Sequence, residues 1–211
     1  MSVAADALRI RPARTHDRAE VELLHEICVL TGAAGQDASA MIDEPHLLGD
    51  VYLGAYLALE PDHCLVLVGD DDVPVGYAVG TPDTVRFKAR CEERWWPALR
   101  ARHPEQPLAD PSRLDASLLR AIHHPRPANP ELVVPFPAHL HIDLLPRAQG
   151  RGYGGRLIRA LLTSLADAGA PGAYLGCDTA NTSALGFYAH VGFKTLHADA
   201  AVTYLGIPLP L

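Results

Sequence analysis

His139, His141 and Asp143 stand at alternate positions of the stretch Ala138-His139-Leu140-His141-Ile142-Asp143-Leu144-Leu145. In an extended chain alternate residues share a face, so these three line one side and Leu140, Ile142 and Leu144 the other. A carboxylate or imidazole can take a proton from a reacting group held beside it, and Asp143, His141 and His139 are the candidates in that order. Three polar residues on one face of a central strand are unusual, because helices normally cover both faces. Hydrogen-bonded structural histidines are the alternative, and the pattern leaves both readings open.

The same strand runs into Pro146–Ile158, where Gly150, Gly152, Gly154 and Gly155 fall close together. Without a Cβ, glycines let backbone N–H groups converge on one point. A helix follows, with Leu157, Ile158, Leu161, Leu162 and Leu165 on one 3.6-period face. Its first turn adds unpaired N–H groups and the positive end of the helix dipole. Such a loop is an anion site, most naturally for a pyrophosphate. Gly150, Gly152 and Gly155 also spell the dinucleotide fingerprint G-x-G-x-x-G, with Asp178 as its acidic partner. The context argues against that reading. Pro146 to Gln149 separate the strand from the first glycine, and too little chain follows Asp178 for the further strand–helix units that fold needs.

Gln149-Gly150-Arg151-Gly152-Tyr153-Gly154 resembles the Q/R-x-x-G-x-G/A coenzyme A signature of the Gcn5-related N-acetyltransferases. Arg147 to Gly152 fits the same letters, but Pro146 stands three residues before Gln149, where that family usually has a proline. Asn181-x-x-Ala184-x-x-Phe187-Tyr188-x-x-x-Gly192-Phe193 is similar to the family's second signature. The resemblance covers roughly residues 138 to 195. It implies an α/β (α+β) GNAT fold, a central mixed β-sheet with splayed parallel strands flanked by helices on both faces. It implies acetyl-CoA as co-substrate, no metal, and direct transfer of acetyl to an amine acceptor, either a small molecule or a peptide or protein lysine. Coenzyme contacts are then expected from Leu144, Leu145, Gln149, Gly150, Arg151, Gly152, Tyr153, Gly154, Gly155, Asn181, Ser183 and Tyr188. By the same resemblance the Leu144 N–H meets the developing oxyanion and Tyr188 protonates the departing thiolate, beside Asp143 and His141. A strand bulge near Leu144, common in the family, would exchange the faces of the strand. Pro137 to Pro146 is further similar to bacterial relatives of the acetyltransferase-like C-terminal domain of O-GlcNAcases. A coenzyme-binding regulatory module with little or no turnover is the competing class, because fold alone does not fix activity.

The 211 residues allow one well-buried core, expected as a single domain over 1–211 with a helical insertion at 84–137 and a coenzyme-binding core at 138–195. The net charge of −7, without a basic run, argues against nucleic acid as a partner. No apolar run approaches the roughly eighteen residues of a membrane span. Met1 to Asp6 do not read as a signal peptide, and Cys28, Cys64, Cys91 and Cys177 lack C-x-x-C spacing. A cytoplasmic monomer or homodimer is expected.

Several elements must hold these residues in position. Leu8 to Ala13 alternates as a strand, and Asp17 opens a helix through Val21, Leu24, Ile27 and Cys28. Gln36 to Leu59 reads as less regular, with a turn at Asp43–His46. Cys64–Val68 and Val75–Val79 flank an acidic turn as a hairpin, and that turn reads as solvated. Phe87 to His103 is helical, with a break expected at Trp95-Trp96-Pro97, and Asp115–Ile122 is another helix. After the glycine loop, Gly169 ends one helix, Ala173–Asp178 is a parallel strand, and Asn181 caps the helix that Gly192 ends. Phe193–Leu196 and Val202–Leu205 close the sheet. Asp37, Asp43, Glu44, Asp50, Tyr52, Tyr56, Trp95 and Trp96 are the acids and aromatics that could receive a cationic acceptor. Solvated acids and core tryptophans are the alternative.

Overall fold

In chain order, β1 (Arg9–Pro12) leads to α1 (Arg18–Thr31), α2 (Pro45–Tyr52) and α3 (Gly54–Leu59). The hairpin β2 (Cys64–Val68) and β3 (Pro74–Thr81) precedes α4 (Thr84–Arg94), α5 (Trp96–Arg102), α6 (Leu114–His123) and the single turn α7 (Pro130–Val133). Then come β4 (Ala138–Leu144), α8 (Tyr153–Asp167), β5 (Gly172–Asp178), α9 (Thr182–Val191), β6 (Lys194–Ala198) and β7 (Val202–Pro208). This computed structural model describes residues 8–105 and 113–211, so the reading of Met1 to Asp6 lies outside the described residues.

The strands form one mixed sheet in the order β1-β2-β3-β4-β5-β7-β6. β4 and β5 are its parallel pair, joined through α8 as the strand–loop–helix–strand pattern required. Val66, Val68, Tyr77 and Val79 pack toward α1 to α6 on one face, and Leu67, Val75 and Ala78 toward α8 and α9 on the other. Burial on both faces is why these strands read as continuous apolar runs. α8 holds the second face with Leu157, Ile158, Leu161, Leu162 and Leu165, all fully buried. Each such side chain contributes about 1.5–3 kcal/mol by leaving water.

Two regions differ from the sequence reading. Gln36–Leu59 is largely helical: Pro45 opens α2, and the chain breaks at Leu53, where Gly54 lies against the Trp95 ring. The acidic turn of the hairpin is more than a solvated loop. Asp72 accepts from Arg9 at 2.5 Å and from Arg11 at 2.9 Å, and pairs with Arg14. Arg11 also holds Glu20 at 2.6 Å, so one arginine clips β1, the hairpin and α1 together. The break between α4 and α5 falls at Trp95, as the tryptophan pair and Pro97 suggested. Cys28, Cys64, Cys91 and Cys177 are free and buried.

Candidate active site

β4 pairs with β3 from Gly76↔Leu144 to Thr81↔His139, but with β5 only at Ala138↔Ala173 and His139↔Tyr174. Beyond His139 the two parallel strands part. The Leu145 N–H donates to the Val75 carbonyl at 2.9 Å, which fixes the alternation of the antiparallel ladder. His141 and Asp143 therefore turn their backbone groups to β3, and Ile142 and Leu144 turn theirs into the gap. The β3–β4 register runs without a shift, so no bulge exchanges the faces of the strand there.

A cleft of about 910 Å³ runs through this gap, lined from both faces of the sheet. Gln149, Gly150, Gly152, Gly154, Gly155, Asn181, Ser183 and Tyr188 line it from the α8–α9 side. Gly150 and Gly152 adopt φ of 71° and 77°, which side chains with a Cβ rarely take. A Cβ on either would meet no protein atom within 4 Å, so the space in front of them is open. At Gly154 a Cβ would sit 3.3 Å from the Phe187 ring. The Gln149 amide donates to the Leu144 carbonyl at 2.8 Å and ties the loop to the strand end.

Three residues expected at the coenzyme do not line the cleft with their side chains. Leu145 is buried in the core, and its N–H is used by β3. Tyr153 accepts from the Leu8 N–H at 3.2 Å, and the Arg151 guanidinium lies 5.3 Å from its ring centroid. Arg156 and Arg159 line the cleft and were not anticipated. Their spacing of three on the helix after an anion loop is the signal that could have found them. Asn181 caps α9, its side chain accepting from the Ala184 N–H at 3.0 Å, and lines the cleft as well.

Tyr188 is 9% exposed, its ring packed on Phe187 and Phe193. Its hydroxyl has no hydrogen-bond partner among the described residues. Burial, then the charges of Asp143 and Cys177, push this phenol well above its ordinary range. From the other face, the Asp143 carboxylate accepts from the Tyr77 hydroxyl at 2.5 Å. Burial raises the Asp143 pKa, against the lowering effect of hydrogen bonds from Tyr77 and Thr31. Burial lowers His141 to about 4, and its ring stands between those of Tyr52 at 5.8 Å and Tyr56 at 5.7 Å. His139 follows the structural alternative. Its two nitrogens are taken by the Tyr56 hydroxyl at 2.5 Å and the Thr84 hydroxyl at 2.7 Å.

The acids and aromatics suggested for an acceptor divide sharply. Tyr52 lines the cleft, at its rim and 41% exposed, with Leu48, Leu114, Cys28, Thr31 and the turn Gly32–Gln36. Tyr56 stands behind it, holding His139. The others build the helical layer instead. Asp50 is buried and pairs with Arg102 at 2.7 Å, and the Trp95 indole donates to the Asp50 carbonyl at 2.8 Å. Trp96 is part of the core. Asp37 accepts from the Ser39 N–H and Asp43 pairs with Arg113 at 2.8 Å, while Glu44 precedes α2 at the surface. Cys28, Thr31 and Leu114 carry no motif; their segments meet only in the fold. His123 and His124 bond apart, to the His103 carbonyl and to Glu105.

Residues 125–193 match the sequence model of the Acetyltransferase (GNAT) family. The crystal structure of SsHAT is similar at 37% identity, covering 96% of this chain and 98% of that one, with a TM-score of 0.88. The Salmonella typhimurium protein yncA, solved with its cofactor acetyl-CoA, has a TM-score of 0.55. It is 14% identical, over 97% of this chain and 95% of that one, a likeness of fold. The protein O-GlcNAcases of Rattus norvegicus and Mus musculus are 28% identical over 151 residues. That match takes in 71% of this chain and spans 16% of the length of those relatives.

Proposed function

This chain belongs to the Acetyltransferase (GNAT) family, an acyltransferase with acetyl-CoA as its co-substrate, and we propose that it acetylates a cationic primary amine directly. The observation that carries this reading is the gap between β4 and β5. It has backbone donors of a glycine loop at one mouth and a carboxylate beside aromatic rings at the other.

The residues fit the coenzyme. Its pyrophosphate meets the N–H groups around Gly150 to Gly155, with Arg156 and Arg159 supplying positive charge. The amide-bearing arm lies along β4 in the place of a missing strand, bonded to the free backbone groups of Ile142. Asn181 and Ser183 bound it on the α9 side. The acceptor enters opposite, its ammonium between Asp143 and the face of Tyr52.

Asp143 takes one ammonium proton, and the freed amine attacks the thioester carbonyl carbon. Negative charge grows on the carbonyl oxygen, where the Leu144 N–H stabilises it. The intermediate collapses as the C–S bond breaks. Tyr188 gives its proton to the thiolate, and the second proton leaving nitrogen restores Tyr188. The products are the N-acetylamine, free coenzyme A and one proton carried away from Asp143. His141 is neutral above its lowered pKa and shapes the pocket between the tyrosine rings.

The test is calorimetry with acetyl-CoA followed by thiol-release assays over a panel of small amines and lysine peptides. Micromolar or tighter binding with turnover on a cationic amine is expected. Tight binding without transfer to any member would make the chain a coenzyme-binding regulatory module and defeat the proposal.

A further inference from the structure

Tyr77 and Asp143 are directly paired across β3 and β4, in a register that runs without a shift between these two strands. Tyr77 is 1% exposed, and its hydroxyl donates to Asp143 Oδ2 at 2.5 Å. A buried tyrosine at the centre of a sheet could fill the same space as phenylalanine; this one aims its only polar atom at a carboxylate that lines the cleft. We propose that Tyr77 is a positioning residue for the transfer. Its hydroxyl holds one oxygen of Asp143 so that the other is presented to the acceptor ammonium. The inference rests on the reading of Asp143 as proton acceptor given above.

The geometry makes this more than packing. Two strands fix the two backbones, and the hydrogen bond removes the remaining rotation of the carboxylate, which lessens the reorganisation needed at reaction. The other groups facing Asp143 are Cys28 and Thr31 from α1, Tyr188 from α9 and His141 on its own strand. None of these is a cation at neutral pH, so the phenol is a principal partner of the ionised form. The Cys28 thiol lies close to that phenol.

The sign of the effect follows. A hydrogen bond to a carboxylate favours its charged form. Tyr77→Phe removes the bond, raises the Asp143 pKa and moves the acidic limb of kcat/KM to higher pH, by about one unit. At pH values below the limb the variant is about tenfold slower, and the gap narrows as pH rises. The affinity for acetyl-CoA stays at the wild-type value. Incorporating 3-fluorotyrosine in place of Tyr77 strengthens the donor at nearly constant shape, and the limb then moves to lower pH. That second variant decides the matter if Tyr77→Phe does not fold. A limb unmoved in both proteins, with only Tm changed, makes Tyr77 a packing residue and overturns the inference. Asp143→Asn separates the two claims: wild-type turnover there removes the premise, and loss of turnover with an unmoved limb in the Tyr77 variants removes the inference alone.

Discussion

At the mouth between α8 and α9 the cleft is made largely of backbone. Gly150 and Gly152 hold positive φ, the gap exposes the N–H groups of Ile142 and Leu144, and Gln149 ties the loop to β4. At the mouth beneath α1 and α2 it is made of side chains. Asp143, His141 and Tyr52 arrive from two elements, and Cys28, Thr31 and Leu114 from two more. A backbone cradle asks for one shape and suits a ligand that never changes. A side-chain pocket can be altered one residue at a time, and suits the partner that differs between relatives.

The contrast breaks most easily at the glycines. Gly152→Val puts a β-branched residue at φ of 77° and fills the open space before the loop. Acetyl-CoA affinity is expected to fall at least about a hundredfold, the scale of roughly 2.7 kcal/mol, read by calorimetry. Gly155→Ala is the sharper control. Its new Cβ meets nothing within 4 Å, so a loss of affinity there reports approach of the ligand itself. Unchanged binding in both variants would mean that the cradle had been misassigned.

Tyr188 stands where the two halves meet, packed with α9 but facing the charge of Asp143. Tyr188→Phe keeps the ring and removes the proton. Turnover should fall by roughly 10²–10⁴-fold, with coenzyme affinity nearly intact. Wild-type kcat on a good acceptor would reduce this residue to packing.

These two halves were not equally legible. The glycine loop, the Asn181 cap and the helix closed by Gly192 are local, and local letters carried them. The strand His139–Asp143 was readable as a polar face, yet one of its histidines proved structural because Tyr56 and Thr84, distant in sequence, take both its nitrogens. The mouth beneath α1 and α2 depended on how α1, α2 and α6 pack, which periodicity does not encode. For the same reason Asp50 and Trp96 resembled parts of an acceptor site and turned out to be packed within the helical layer. An acid beside an aromatic looks alike in sequence whether it faces a cleft or an arginine.

Tyr52 and Trp96 therefore give opposite readouts. Tyr52→Ala should raise KM for the acceptor several-fold and leave that for acetyl-CoA alone, because the ring touches one substrate. Trp96→Ala should lower stability by about 3–5 kcal/mol through a core cavity, seen as a fall in Tm. An acceptor KM that moves in Trp96→Ala at unchanged Tm, or stays fixed in Tyr52→Ala, would reverse the division drawn between rim and scaffold.

Acid should separate the two halves most gently. Burial holds His25, His139 and His141 below the ordinary imidazole value of 6.5, His141 at about 4. All three lie on the α1–α6 side of the sheet, whereas His190 on α9 is exposed. Below 6.5 the unfolded chain binds protons that these buried rings refuse, so their contribution is full above that pH and declines as it falls toward 4. Each unit of depression is worth at most about 1.4 kcal/mol. Asp143 acts in the opposite sense, since its raised pKa gains stability on acidification, but it is one group against three. The Asp72 clip, held at about 2 by Arg11 and Arg14, stays closed through this window. Amide exchange between pH 6.5 and 4 should then lose protection first in α1 and α2, ahead of α8 and β5. Earlier loss in α8 would show that the glycine-loop half is the weaker one, and that the buried imidazoles do not set the acid response.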